Sequence, residues 1–550
     1  MRRGIAAVLA VALCTAACTA AAGCSQPVDD GNPGKSRPDT LVVAGKTPEG
    51  RFLPIYASSL YDSEISQMVF EGLLINDPEA KPVPWLAEKW EISPDGLTYT
   101  FHLRHGVKFT NGEELTAKDV VFTYTLMADP AFDGAKRSAI STLYGFDEYN
   151  MGGAAVFAGV AAPDDYTVVF RLSQARASAI WDFGYGIMSK DYYGPYTKGD
   201  LTGIRARMTD CMGCGPYELA EYAPGDSARF TANPVYWGGK PKIPVVSYRF
   251  VDDDAARRAD VEKGLVDIAK LGADDGTIEM VENAGFYRKY LFAGLDYTHI
   301  GFNVRSAPLD DKRVRRALMV GFDREAFLEK RYGAFGFTLD IPFSRASWAF
   351  DKTIPAVGYD PAEAERLLDE AGWTMGAGGL RENPEGEPLS IRFSCWGGTV
   401  FAVLLVEQVK DDWEKIGVKV EVEQMDSAEL ANKVFDERDF QCYAMGWSLS
   451  IDPDPTDLYG SAATAPGGFN PGGWSTPESD ALLASGLATS DQAARAQIYS
   501  DWSKLFLDEM PCIIIGSSDQ FFAVNERVKG IELGTYRTWQ YMLHKAELAK

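Results

Sequence analysis

Between Trp90 and Met127 the apolar residues change their spacing within one short stretch, WEISPDGLTYTFHLRHGVKFTNGEELTAKDVVFTYTLM. Leu97, Tyr99, Phe101 and Leu103 alternate with polar neighbours behind the turn Ser93-Pro94-Asp95-Gly96, the pattern of a hairpin with one buried face. Further on, Thr116 followed by Asp119 forms a capping box with Asp in place of the usual Glu, opening a helix through VVFTYTLM. A chain that passes so quickly from paired strands to a packed helix needs a sheet with helices laid on it, which restricts the fold to the mixed α/β class.

The same alternation recurs along the chain. LVVAGK, from Leu41, has the look of a buried strand, and SEISQMVFEGLL carries apolar residues at helical spacing. Turn-rich pieces such as CGPYEL and NPVYWGGKPKIPVVSYRFV are followed by the helical DDAARRADVEKGLVDIA. In APLDDKRVRRALMVGFDREAFLEKRYG, Val314, Leu318 and Phe322 fall on one face of a helix. In DPAEAERLLDEAGW, Asp360 is the N-cap, Pro361 opens the first turn and Gly372 is the stop. LSIRFSCWG and VKVEVEQM read as strands around the amphipathic LLVEQVKDDWEKIG, a second α/β unit. At the usual figure of roughly 150 residues per domain, the 550 residues imply about three folding units.

The N-terminus is a different kind of sequence. Arg2 and Arg3 precede GIAAVLAVALCTAACTAAAGC, the charged and apolar regions of a secretory signal peptide over residues 1–23. Ala21, Ala22 and Gly23 before Cys24 resemble a lipobox, which makes Cys24 a lipid-bearing N-terminus. Cys18 is the second choice, and ordinary cleavage at an Ala-rich site is the alternative. The polar run SQPVDDGNPGKSRPDT reads as a flexible tether over residues 24–39. The mature chain is therefore expected outside the cytoplasm, held to the bacterial cell membrane by its lipid.

A formal charge of −24 argues against nucleic acid as a partner, because phosphate binding needs a basic face. It suits a cationic or amine-bearing ligand. Five cysteines follow the signal region, Cys211, Cys214, Cys395, Cys442 and Cys512, so they cannot all pair internally. CMGC at 211–214 is open to a local disulfide, two thiols or half a metal site, but no second CxxC and only four histidines accompany it. His299, in YTHIGFN, reads as a core or hinge residue. No HExxH, GxSxG or GxxxxGK[ST] pattern appears, which removes the usual support for a hydrolase or a nucleotide-binding protein.

Seven segments in order carry a family resemblance: VFEGLL, LRHGVKFTNGEELTAKDVVFTY, GCGPYEL, IGFNVRSAPLDDKRVRRALM, YDPAEAERLLDEAGW, GWSLSIDPDP and TPESDALL. Together they resemble family 5 of the extracellular solute-binding proteins that serve ABC importers, the oligopeptide- and dipeptide-binding group. The resemblance implies a periplasmic-binding-protein type II-like fold: two α/β lobes joined by a hinge, with an additional inserted α/β domain (cluster C). It implies lobe I over 40–77, 206–296 and 521–550, the extra domain over 78–205 and lobe II over 297–520. It further implies a monomeric, non-catalytic lipoprotein without cofactor or metal, capturing peptides by hinge closure and delivering them to permease subunits. The same role for oligosaccharides or another small solute is the alternative.

In peptide binders of this family an aspartate after a tryptophan pairs with the ligand's α-amine, and main-chain groups hold the peptide as an added strand. The loop here, Gly446-Trp447-Ser448-Leu449-Ser450-Ile451-Asp452-Pro453-Asp454-Pro455, departs from the commoner pattern, with Ser450 where that aspartate would stand. Asp452 or Asp454 takes the amine on this reading; turn chemistry before proline is the other reading of both. Trp396 and Trp447 either wall a pocket or belong to the core. PGGFNPGGW, with Phe469 and Asn470, either brings backbone up to a ligand or forms a surface loop. The candidate ligand-binding set is therefore Trp396, Trp447, Ser448, Ser450, Asp452, Asp454, Phe469 and Asn470.

Overall fold

The computed structural model describes residues 31–549. Residues 1–23, read as a signal segment, and the two candidate lipid sites Cys18 and Cys24 lie outside the described residues. The last part of the stretch read as a tether is docked on the body. Pro33–Ser36 forms a turn of 3-10 helix, and Asn32 Nδ2 donates to Asn525 Oδ1 at 2.7 Å in a buried contact.

In chain order, the strands that build the molecule begin with β1 (Thr40–Gly45), β2 (Ala87–Ile92), β3 (Thr98–Leu103), β4 (Val160–Asp164) and β5 (Thr167–Arg171). Next come β6 (Tyr217–Ala223), β7 (Ser227–Ala232), β8 (Val245–Phe250), β9 (Ile268–Leu271), β10 (Tyr287–Ala293) and β11 (Asp296–Phe302). The last are β12 (Gly336–Thr338), β13 (Ser390–Trp396), β14 (Lys419–Met425), β15 (Cys442–Ser448) and β16 (Cys512–Asn525). A 12-stranded sheet runs β14-β13-β15-β11-β16-β9-β1-β8-β7-β6, with β10 and β12 also pairing β16.

β16 is what makes this one sheet. Its first residues, Cys512–Gly516, pair with β11, while Phe521–Val524 pair with β9 and β10. The apolar residues divide at the same place. One core gathers Leu41, Ile65, Phe101, Val246, Ile268 and Trp539; another gathers Ile300, Leu318, Phe393, Trp413, Trp502 and Ile514. The chain passes from one to the other at Gly294–Leu295 and returns within β16. A separate 4-stranded sheet, β2-β3-β5-β4, carries the helix Ala117–Ala128. Phe101, Tyr124, Phe170 and Phe183 pack at their interface, with Phe170 and Phe183 stacked 4.3 Å apart.

The hairpin and capping box form as the spacing predicts. Gly96 takes φ 69° in the turn, and Asp119 Oδ2 accepts from Thr116 N at 2.8 Å. Three predicted helices are shorter than their apolar pattern. The one through SEISQMVFEGLL ends at Val69, because Gly72 sits so close to Gly184 that a Cβ there would lie 2.1 Å from its carbonyl oxygen. The one through DDAARRADVEKGLVDIA ends at Glu262; Gly264 turns at φ 65° and Ile268–Leu271 becomes β9. The third splits into Lys312–Val320 and Arg324–Tyr332, with Asp323 capping the second through Ala326 N at 3.0 Å. Phe322 is buried in the break rather than within a helix.

Candidate ligand-binding cleft

A cavity of about 790 Å³ opens where three parts of the chain meet, a size within the range of roughly 300–1,000 Å³ usual for ligand sites. The helix Leu60–Val69 and the following residues to Asn76 form one side, together with Thr535–His544. The 3-10 turn Ala177–Phe183, which follows the 4-stranded sheet, forms another. The loop after β15 contributes Ser450, Ile451, Asp452, Asp454 and Asp457. Leu295, at one chain crossing, also lines it.

The electrostatics of this cavity are uneven. Five carboxylates line it, Glu71, Asp182, Asp452, Asp454 and Asp457, against two basic side chains, Lys136 and Arg176. Asp452 is gripped from behind: Arg495, on the helix Gln492–Glu509, donates to its two oxygens at 2.6 and 2.7 Å. Only 5% of the Arg495 side chain and 11% of Asp452 are exposed, so this is a buried bidentate pair that fixes the loop. Asp454 uses Oδ1 to accept from Thr456 N at 3.1 Å and Thr456 Oγ1 at 2.6 Å, while Oδ2 accepts from no group among the described residues. Burial, reinforced by nearby Asp452, raises its pKa.

Asp182 accepts from Arg176, yet burial outweighs that cation and holds its carboxyl up at about 7, with Asp457 and Asp452 adding repulsion. Glu71 is also held at about 7 by burial, although Tyr236 Oη and Trp237 Nε1 each donate to it at 2.5 Å. Lys136 donates to Pro54 O at 2.5 Å, and burial lowers its pKa to about 8.

The sequence-predicted residues separate into groups. Ser450, Asp452 and Asp454 line the large cavity. Trp447 and Ser448, at the end of β15, line a second cavity of about 380 Å³ with Tyr297, Tyr332 and Phe401. Trp447 carries the His299 ring stacked at 6.1 Å and Phe469 edge-on at 5.4 Å. Trp396 stacks on Phe401 at 5.6 Å and donates from Nε1 to Thr399 Oγ1 at 3.1 Å.

Asn470 is buried, donating to Trp474 O at 2.7 Å, and Phe469 is half-exposed. The glycines around them serve close approach of backbone to backbone: a Cβ at Gly472 would lie 2.2 Å from Phe302 O, and one at Gly468 2.2 Å from Ala463 O. His299 is buried in β11, its Nε2 3.4 Å from Tyr443 Oη, with burial lowering its pKa to about 4. Cys211 and Cys214 are free thiols. Glu71, Lys136, Arg176, Asp182 and Asp457 were not legible as site residues. Glu71 lies inside the resemblance segment VFEGLL, but nothing in the sequence marks the turn at 177–183 as facing the loop at 450–457.

Two cores joined by two crossings, with an inserted sheet and a lined cavity where they meet, define a two-lobed ligand-capturing protein. The chain belongs to the bacterial extracellular solute-binding proteins, family 5, whose middle-region profile matches residues 81–469. That family is one of solute-binding proteins, not enzymes. The chain is 28% identical over 516 residues to the dipeptide-binding protein of Escherichia coli (strain K12), covering 89% of this chain and 91% of that one. It is also 28% identical over 473 residues to heme-binding protein A of Haemophilus influenzae, covering 81% of each. The oligopeptide-binding protein AppA from Bacillus subtilis, solved in complex with a nonapeptide, is similar at a TM-score of 0.75 and 25% identity, covering 93% of this chain and 99% of that one.

Proposed function

We propose that this chain is the extracytoplasmic receptor of an ABC importer: a monomeric lipoprotein, anchored through Cys24, that captures peptides in the cleft and delivers them to the permease. Its lobes run over 40–77, 206–296 and 521–550 and over 297–520, with 78–205 as the inserted domain. The separation of the two apolar cores supports the boundary between 297–520 and the rest of the chain. Closure turns on Gly294–Leu295 and the middle of β16, and a ligand touching both lobes stabilises the closed state by its differential contacts.

The observation that carries the peptide reading is the acidic lining of the cleft, with Asp454 Oδ2 left to accept from a ligand. Asp452 holds the loop through Arg495, and Asp454 takes the peptide's α-amine. An amine-bearing ligand suits this lining better than a neutral oligosaccharide does, and Trp396 and Trp447 already carry stacked rings on Phe401 and His299. Titration calorimetry with a free-amine peptide and its N-acetyl form tests the assignment. Asp454→Asn is expected to weaken the free-amine peptide by at least about tenfold, the low end for removing one member of a buried charged pair. The N-acetyl form should bind both proteins alike. Equal affinity of both proteins for the free-amine peptide would remove Asp454 from the role.

A further inference from the structure

The peptide reading accounts for one carboxylate of the cleft and leaves others unexplained. Arg495 neutralises Asp452 and Arg176 offsets Asp182, but Asp454 and Asp457 form no ion pair among the described residues. One α-amine satisfies Asp454 and leaves Asp457 beside Asp182. These two come from opposite sides of the cleft. Asp182 belongs to the turn Ala177–Phe183, and Asp457 to the helical turn Thr456–Tyr459 after the β15 loop. A neighbouring element of the Asp457 side reaches across: the helix Pro477–Ala488 packs against the Ala177–Phe183 turn. The two carboxylates sense each other, Asp457 adding to the repulsion that disfavours ionised Asp182.

Two orphaned polar groups lie in the same cavity. Ser178, on the turn that bears Asp182, is 8% exposed, and its hydroxyl has no hydrogen-bond partner among the described residues. Gln540 is 7% exposed; its Nε2 donates to Glu64 O at 3.1 Å, but its Oε1 has no partner among the described residues. Buried polar groups are almost always satisfied, so such atoms at a cavity wall mark places where a ligand supplies the missing bond.

We infer that Asp182 and Asp457, with the Ser178 hydroxyl, form a second cation subsite that takes a lysine- or arginine-type side chain of the bound peptide. The inference rests on the peptide-receptor reading and deepens it: the favoured ligand carries two positive charges, one on its α-amine and one on a basic side chain. A cation placed there bridges the inserted domain and the β15 loop, so its charge also favours the closed arrangement.

The test compares tri- and pentapeptides of alanine carrying, at each position in turn, lysine or its neutral isostere norleucine, with cadaverine as a non-peptide dication. Binding to the full mature chain is measured by calorimetry at fixed salt. At one position lysine is expected to bind at least about tenfold tighter than norleucine, as a charge-assisted bond predicts. Asp182→Asn and Asp457→Asn should each bring that ratio close to one. Asp457 is exposed and forms no ion pair among the described residues, so its variant keeps the test valid if the loss of Asp182 disturbs folding around Arg176.

Norleucine binding as tightly as lysine at every position overturns the subsite, as does a lysine preference that survives both substitutions. If no peptide binds but cadaverine does, and Asp457→Asn weakens it, the peptide reading fails and the subsite stands. If neither the lysyl peptides nor cadaverine binds, the subsite falls.

Discussion

Asp452 and Asp454 stand two residues apart and have separate tasks, set by what lies behind each. Asp452 has both oxygens bonded by a buried guanidinium, so Asp452→Ala strands Arg495 and is expected to cost about 3 kcal/mol, read as a lowered urea midpoint. Asp454→Asn, with no cation to strand, should cost clearly less. Equal losses for the two would contradict the division of roles. The sequence marks both as candidates through the DPDP turn, but it cannot choose between them, because Arg495 is 43 positions away on a helix whose placement depends on the whole lobe.

Glu71 yields a pH prediction at the same scale. Burial raises its folded pKa from 4.5 to about 7, so its proton is held more tightly folded than unfolded. That contribution to stability is complete below about pH 4.5 and is lost as pH rises through about 7. Asp182, raised from 3.8 to about 7, acts in the same direction. The melting temperature of Glu71→Gln should therefore fall less between pH 5 and 8 than that of the parent, with the residual slope owed in part to Asp182. An unchanged slope would mean that Glu71 is already ionised in the folded protein.

Among the elements, the strands and helix starts were legible, as was the stop at Gly372 after the helix Pro361–Glu370, but the ends of three other helices were not. Alternation locates β3 and β13, and Asp360 with Pro361 opens the predicted helix, Asp360 Oδ1 accepting from Glu363 N at 2.9 Å. The ends fail because apolar spacing continues past them. Phe322 keeps the period of Val314 and Leu318 and is buried, yet Gly321 breaks the helix where a Cβ would lie 2.7 Å from Ile416 Cδ1. Tertiary close approach, which no local pattern encodes, decides these points. Gly72 is the case that matters for the cleft, since its contact with Gly184 turns the chain so that Glu71 lines the cavity. Gly72→Ala should destabilise the protein by about 1–3 kcal/mol, the cost of overpacking, and weaken peptide binding with it. Gly112→Ala provides a comparison, because its Cβ meets nothing within 4 Å and its cost is only that of φ 92°. A Gly72→Ala variant no less stable than Gly112→Ala would show that the Gly184 contact relaxes freely.

For the whole molecule, the fold class was readable from alternation, and the family from motifs in order. The cleft was not, because its walls come from residues near 71, 182, 454 and 540, which only the completed topology brings together. On the proposed function, the acidic cleft holds a peptide by its positive charge. Native mass spectrometry of the purified mature chain, before and after mild denaturation and with free-amine peptides added, tests this most directly. The predicted result is bound mass in the peptide range that is lost on denaturation, fragments as peptide sequence and is enriched in lysine and arginine. A hexose-spaced series, or a chain that gains no mass when peptides are added, would contradict it.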